Sequence, residues 1–152
     1  MTNRAKKLII ASVVGAAVCV MLVLGVLAGA AVMGWKSAVR AGNEAATIQN
    51  LKTIAALEVQ YFNMHHRTFG TLDQLVSEQM LSKKFAGHPT ETDGYVFTLS
   101  VTRKPDGSSS SYKITADPQD ESQGRNHFYF DSNDDRIHVN SQRQAGPEDP
   151  LA

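Results

Sequence analysis

The side chains best equipped for chemistry stand late in the chain, and their spacing decides what they could do. His127 and His138 fall on what reads as the outward face of a closing hairpin and are the nearest thing to a zinc pair. Zinc takes about four ligands, however, and the sequence offers no third beside them. Asp131, Asn133 and Asp135 repeat the opening ligand places of a calcium loop, but Arg136 stands where that loop needs glycine and Gln142 where it needs a bidentate glutamate. The stretch reads as a polar turn. His65 and His66 are adjacent, so on a helix they point about 100° apart and do not share a metal. Ser108 to Ser111 lie in a turn without the strand, turn and helix that activate a nucleophile. Phosphate loops, sheltered carboxylate pairs and basic patches interleaved with aromatics are all missing. The expectation is a protein that is not an enzyme and has no catalytic residues, metal or cofactor.

Those residues hang on a chain whose first part is dominated by an uncharged run from Leu8 to Trp35, behind the basic cluster Arg4, Lys6 and Lys7. The run exceeds the roughly 20 helical residues that cross a bilayer, which predicts a transmembrane helix over 8–35. A cleavable signal ending near Ala28-Gly29-Ala30 is the alternative, but its apolar core would be only about 7 to 15 residues long. Lipidation at Cys19 is disfavoured by Ala16 and Val18 at the positions before it. Arg4, Lys6 and Lys7 outweigh Lys36 and Arg40, which Glu44 dilutes, so the positive-inside bias puts the N-terminus in the cytoplasm. The expected location is a bacterial inner membrane, crossed once, with the C-terminal domain periplasmic or extracellular. Gly25 and Gly29 form a GxxxG pair, and Ala30 and Gly34 repeat the small-residue spacing that lets helix backbones approach in lipid. Cys19 is the sole cysteine. A disulfide therefore has no part in folding the domain beyond the run.

Three of the fifteen basic residues precede the run, so from Lys36 onward twelve basic side chains face fifteen acidic ones. That slight negative excess, without runs of either sign, excludes a nucleic-acid surface. The chain divides into a basic leader at 1–7, the membrane helix at 8–35, one domain at 36–140 and a tail at 141–152 expected to be disordered. No proline or turn cluster interrupts the sequence between Trp35 and Met64. There Ile48, Leu51, Ile54, Ala55, Val59, Tyr61 and Phe62 share a broad helical arc, opposite Gln49, Lys52, Ala56, Gln60 and Asn63. That arc is nearer twice the roughly 100° stripe that one sheet covers, which leaves two readings open: part of it faces a partner or a membrane surface, or the helix is well wrapped by its own domain. Glu58 falls inside the arc and is expected to pair with a cation or to reach water at the rim.

Thr71 and Gln74 stand at capping-box spacing for a short helix to about Leu81. From Gly94 the period changes to two. Tyr95, Phe97, Leu99 and Val101 alternate with polar or smaller residues, and after the Pro105-Asp106-Gly107 turn Tyr112, Ile114 and Ala116 do the same. A second hairpin pairs Phe128 and Phe130 with Val139 and Ile137, leaving His127, Tyr129, Asp131, Arg136 and His138 outward. The fold class expected is α+β: a long N-terminal transmembrane and amphipathic helix packed against a small antiparallel sheet of 3–4 strands.

Arg40-Ala41-Gly42-Asn43-Glu44-Ala45-Ala46, Leu51-Lys52-Thr53-Ile54, Glu58 to Tyr61, and Thr68-Phe69-Gly70-Thr71-Leu72 resemble, in that order, type IV pilins and the pseudopilins of type II secretion. Phe128-Tyr129-Phe130-Asp131 with Arg136-Ile137 resembles the family's closing hairpin. The similarity runs from about Ala31 to Asn140. It implies a structural subunit of a type IV pilus or secretion pseudopilus, assembled through its N-terminal helix. Its partners would be other pilin-like subunits, secretion or pilus assembly proteins and the lipid bilayer. Residues 48, 51, 54, 58, 61 and 62 would form the assembly or core face. Some pseudopilins hold calcium in a late loop, of which the resemblance would make Asp117 to Glu121 a remnant rather than a working site. The chain departs from the family at its start: Lys7 runs into Leu8-Ile9-Ile10 without a glycine-phenylalanine junction, and no acidic residue precedes Glu44. A second reading is therefore a permanently membrane-anchored pilin-like module that binds a protein partner without polymerising, and a third is an exported binding domain released after Ala30.

Overall fold

The computed structural model describes residues 3–103 and 111–152, with the side chains of 3–18, 27, 28 and 30–32 outside that description. The elements are α1 (Asn3–Met64), α2 (Leu72–Ser77), a single 3-10 turn (Lys83–Phe85), and five strands. These are β1 (Thr90–Thr92), β2 (Tyr95–Thr102), β3 (Ser111–Pro118), β4 (His127–Asp131) and β5 (Ile137–Asn140). The chain forms two compact units, Met1–Ala38 and Val39–Ala152.

In the first unit the expectation of a membrane span is corrected. Among the described residues, no helix is long and apolar enough to cross a membrane. The single-pass inner-membrane placement loses its support with the span. The orienting side chains of Arg4, Lys6 and Lys7 lie outside the described residues.

The second unit is built on one antiparallel sheet in the order β1-β2-β3-β4-β5, a meander in which every strand pairs with its sequence neighbours. Five strands replace the 3–4 expected. The extra one, β1, is too short for a period of two to show, and the Asp93-Gly94 turn that forms it was not read from the sequence. Thr92 pairs with Tyr95 around Asp93 and Gly94, whose φ angles of 52° and 78° are both left-handed. That is the two-residue hairpin geometry for which Asp-Gly is the strongest short signal. Asp93 is further tied down by Lys84 Nζ and Asn50 Nδ2, each donating to its Oδ2 at 2.8 Å.

The later register follows the alternation of apolar residues, with Phe128 opposite Val139 and Phe130 opposite Ile137. Leu51, Ile54, Ala55 and Tyr61 of α1 share a core with Leu72 and Leu75 of α2, Phe85, Tyr95 and Phe97 of β2, Tyr112 and Ile114 of β3, and Phe128 and Phe130 of β4. Aromatic rings thread this core: Phe85 meets Phe97 edge-on at 5.5 Å, and Phe69 meets Tyr112 edge-on at 4.6 Å. Apolar burial of this kind stabilises by about 25 cal/mol per Å² and is what holds a sheet of short strands to one face of a helix.

Helix α2 starts where its capping box predicts. Thr71 Oγ1 accepts from Gln74 N and the Gln74 side chain accepts from Thr71 N. It ends at Ser77 rather than near Leu81, because Gln79 turns left-handed at φ 61° and the amides of Met80 and Leu81 both bond back to Leu75 O. The 141–152 tail, expected to be disordered, is bonded along β5. Val139 N donates to Pro150 O at 2.8 Å, Ala152 N donates to Ile137 O at 2.9 Å, and Leu151 bridges His138. Its prolines and charges suggested disorder, but a sheet edge offers the backbone groups that such a tail can pair. The Pro105-Asp106-Gly107 turn and Ser108 to Ser110 lie outside the described residues, and Ser111, expected in the turn, begins β3.

Candidate functional site

Two surfaces and two buried polar groups stand out. On the α1 segment of the first unit Val20, Met21, Leu22, Val23, Leu24, Val26, Met33 and Trp35 are all more than half exposed. Gly25, Gly29 and Gly34 have nothing within 4 Å of the space a Cβ would fill. The small-residue notches are therefore open, while Ala30 lies outside the described side chains. Cys19 is exposed on the same segment. Apolar side chains presented in this density on one helix are uncommon outside contact surfaces.

In the second unit the wide arc of α1 is unevenly buried. Leu51, Ile54, Ala55 and Tyr61 are buried and Ile48 and Phe62 half-buried, whereas Val59 remains 56% exposed. Ile48, Ala55, Ala56 and Val59 form one wall of a groove of about 650 Å³, with Phe130, Ile137 and Leu151 on the other. Lys52, Asp135 and Arg136 stand along it.

Glu58 differs from its expectation. It is fully buried, and no cation pairs with it among the described residues. Its Oε2 accepts from Gly70 N at 2.9 Å, while Oε1 has no hydrogen-bond partner among the described residues. Burial raises its pKa from 4.5 to about 7, partly opposed by the Gly70 amide. A neutral acid at the core solves the desolvation problem that an ion pair was expected to solve. Gly70 must come this close because the turn after α1 reverses through His66 and Arg67, both at positive φ. His65 stacks on Tyr61 at 3.9 Å and meets Glu78 Oε2 at 2.9 Å, so its ring is engaged by neighbours other than His66.

The paired histidines are each committed elsewhere. His127 Nδ1 lies 2.6 Å from Asp117 Oδ1, and Gln144 Nε2 donates to the other oxygen of that carboxylate at 2.8 Å. His138 is opposite Tyr129 rather than His127 in the ladder. Its outward face is covered, leaving the residue 4% exposed. Asp131 likewise is buried, its Oδ1 accepting from the Asn133 and Asp134 amides within the turn. No group of three metal-ligating side chains comes together among the described residues.

Sequence reasoning missed the residues that lock the 119–126 loop to α1. Glu44 accepts from Arg125 N, Asn126 N and Asn126 Nδ2, and Asn43 Nδ2 donates to Gln123 O and Oε1. It also missed Asp134 and Asp149 as partners of His138. The Glu44 and Asn43 contacts cross about eighty residues of chain and leave no local periodicity, whereas Asp134 and Asp149 lie only 4 and 11 residues from His138. No protein-family model matches the chain, and comparisons with curated proteins and with solved structures return no match.

Proposed function

We propose that this protein is a non-catalytic, pilin-like structural subunit that self-associates through the apolar helix of its first unit, in the manner of a type IV pilus or type II secretion pseudopilus. The observation that carries the reading is the contrast between the two units. The second closes a core around Leu51, Ile54, Tyr95 and Phe128, while the described large apolar side chains between Val20 and Trp35 stay exposed. Burying those side chains against like helices would release the water they order, and open notches at Gly25 and Gly29 suit close backbone approach. A repeated contact of one patch with a different patch on the next copy generates a helical filament, which gives the apolar burial a direction. The resemblance of 40–72 and 128–137 to pilins supports the same reading. A subunit of this kind works outside the cytoplasm, and a second unit without cysteine has no thiol to oxidise there.

The test uses the full chain in mild detergent. Oxidation of Cys19 should yield disulfide-linked dimers, and dilution out of detergent should give filaments or large oligomers by sedimentation and negative-stain microscopy. Leu22→Asp with Val26→Asp should abolish both. A chain that stays monomeric and uncrosslinked at every concentration overturns the proposal.

A further inference from the structure

The tail that covers β5 is fastened by a side chain whose bonding geometry is sensitive to a single proton. His138 Nδ1 lies 2.6 Å from the carbonyl oxygen of Asp149, and Nε2 lies 2.5 Å from Asp134 Oδ2. Both neighbours are acceptors and cannot donate, so both ring nitrogens must carry hydrogen. A neutral imidazole would set a lone pair against one of these oxygens at contact distance. We propose that the doubly protonated ring of His138 is a clasp that holds residues 149–152 over the β5 edge, and that loss of one proton lets the tail leave it.

On balance the surroundings favour the charged ring, against its burial and the charge of Arg136. Asp134 comes from the β4–β5 turn, and Arg136 beside it opposes the charge of the ring but is itself bonded to Asp134 Oδ1 at 2.7 Å. Tyr129 stands across the ladder, edge-on at 6.2 Å, with its hydroxyl donated to Asp131. From the tail, Asp149 turns its carboxylate to Asn140 Nδ2, Arg143 and Gly146 N, which leaves its carbonyl for the ring. The Asp149 carbonyl and then the Asp134 carboxylate hold the ring's pKa above its ordinary value. The hold is therefore complete below about pH 6.5 and fades as pH rises through the raised value. Asp134 and Asp149 are shifted the other way, chiefly by His138 and Asn140 respectively, so their share is present above pH 3.8 and fails only as acid reaches their lowered values. Release uncovers Val139 N and Ile137 O, which now bond Pro150 O and Ala152 N. An unpaired edge of that kind accepts another strand.

Hydrogen exchange followed by mass spectrometry on the full chain tests this, with β3 as the internal reference. After correction for intrinsic exchange, protection across 137–152 should fall at least about tenfold between about pH 6 and about pH 9, while 111–118 is unchanged. His138→Gln, which cannot bridge two acceptors in opposite directions, should show low protection at both pH values. Asp134→Asn keeps an acceptor but removes the charge, so release should shift to lower pH. Protection that does not depend on pH in the natural chain overturns the clasp, as does an unshifted profile in Asp134→Asn. Should His138→Gln fail to fold, those two profiles decide.

Discussion

Glu58 and Thr71 show how differently two polar residues announce themselves. The capping pair Thr71 and Gln74 was legible because a cap acts over three residues and its chemistry is local. Thr71→Ala should lower stability by about 1 kcal/mol in urea denaturation, with the loss confined to the α2 region in hydrogen exchange. The position of Glu58 on the buried arc was equally legible, but its partner was not, since the Gly70 amide arrives only through the left-handed turn at His66 and Arg67. A carboxyl whose folded pKa of about 7 exceeds its ordinary 4.5 binds its proton more tightly when folded. Its contribution is therefore full at acid pH and declines as pH rises from about 4.5 to about 7, by about 1 to 3 kcal/mol once partial access of water is allowed for. Glu58→Gln keeps an oxygen for Gly70 N and cannot ionise. It should flatten the stability profile across that interval and exceed the natural chain by about 1 to 2 kcal/mol near pH 8. Equal slopes for the two proteins would mean that Glu58 ionises without cost.

Among the elements, the β1–β2 hairpin, which the sequence reading left out, rests on Gly94. A Cβ there would lie 2.7 Å from Asn43 Nδ2 and 2.8 Å from Gln123 Oε1, and the φ of 78° is unfavourable for any other side chain. Gly94→Ala should cost about 2 to 4 kcal/mol in denaturant unfolding, combining backbone strain with displacement of the Asn43 to Gln123 bonds. Amides of Thr90 and Thr92 should lose protection first. Strands β2 to β5 were readable because burial on one face imposes a period of two, with Phe128 and Phe130 as its clearest markers. The docked tail was unreadable for a complementary reason. Pro147 and Pro150 suit an irregular segment, and what orders it is the edge of a strand plus His138, neither of which leaves a pattern within 141–152.

At the scale of the whole molecule, the chain separates a unit whose described apolar side chains are exposed from one that completes its own core. Assembly and stability should therefore be separable by mutation. Leu22→Asp should remove self-association in sedimentation without changing the unfolding midpoint of 39–152 by more than about 0.5 kcal/mol. Ile54→Ala, at a fully buried position, should lower that midpoint by an amount corresponding to about 2 to 5 kcal/mol. The strict order of the sheet has a temporal consequence. Because β1 to β5 are neighbours in sequence as well as in space, each strand can add to an edge already formed by the one before it. Pairings of such short sequence separation close quickly, and none has to wait for a distant segment to be synthesised. The order in which the ribosome delivers the strands is the order in which the sheet can zip, and the segment that covers the last edge follows β5 out of the ribosome.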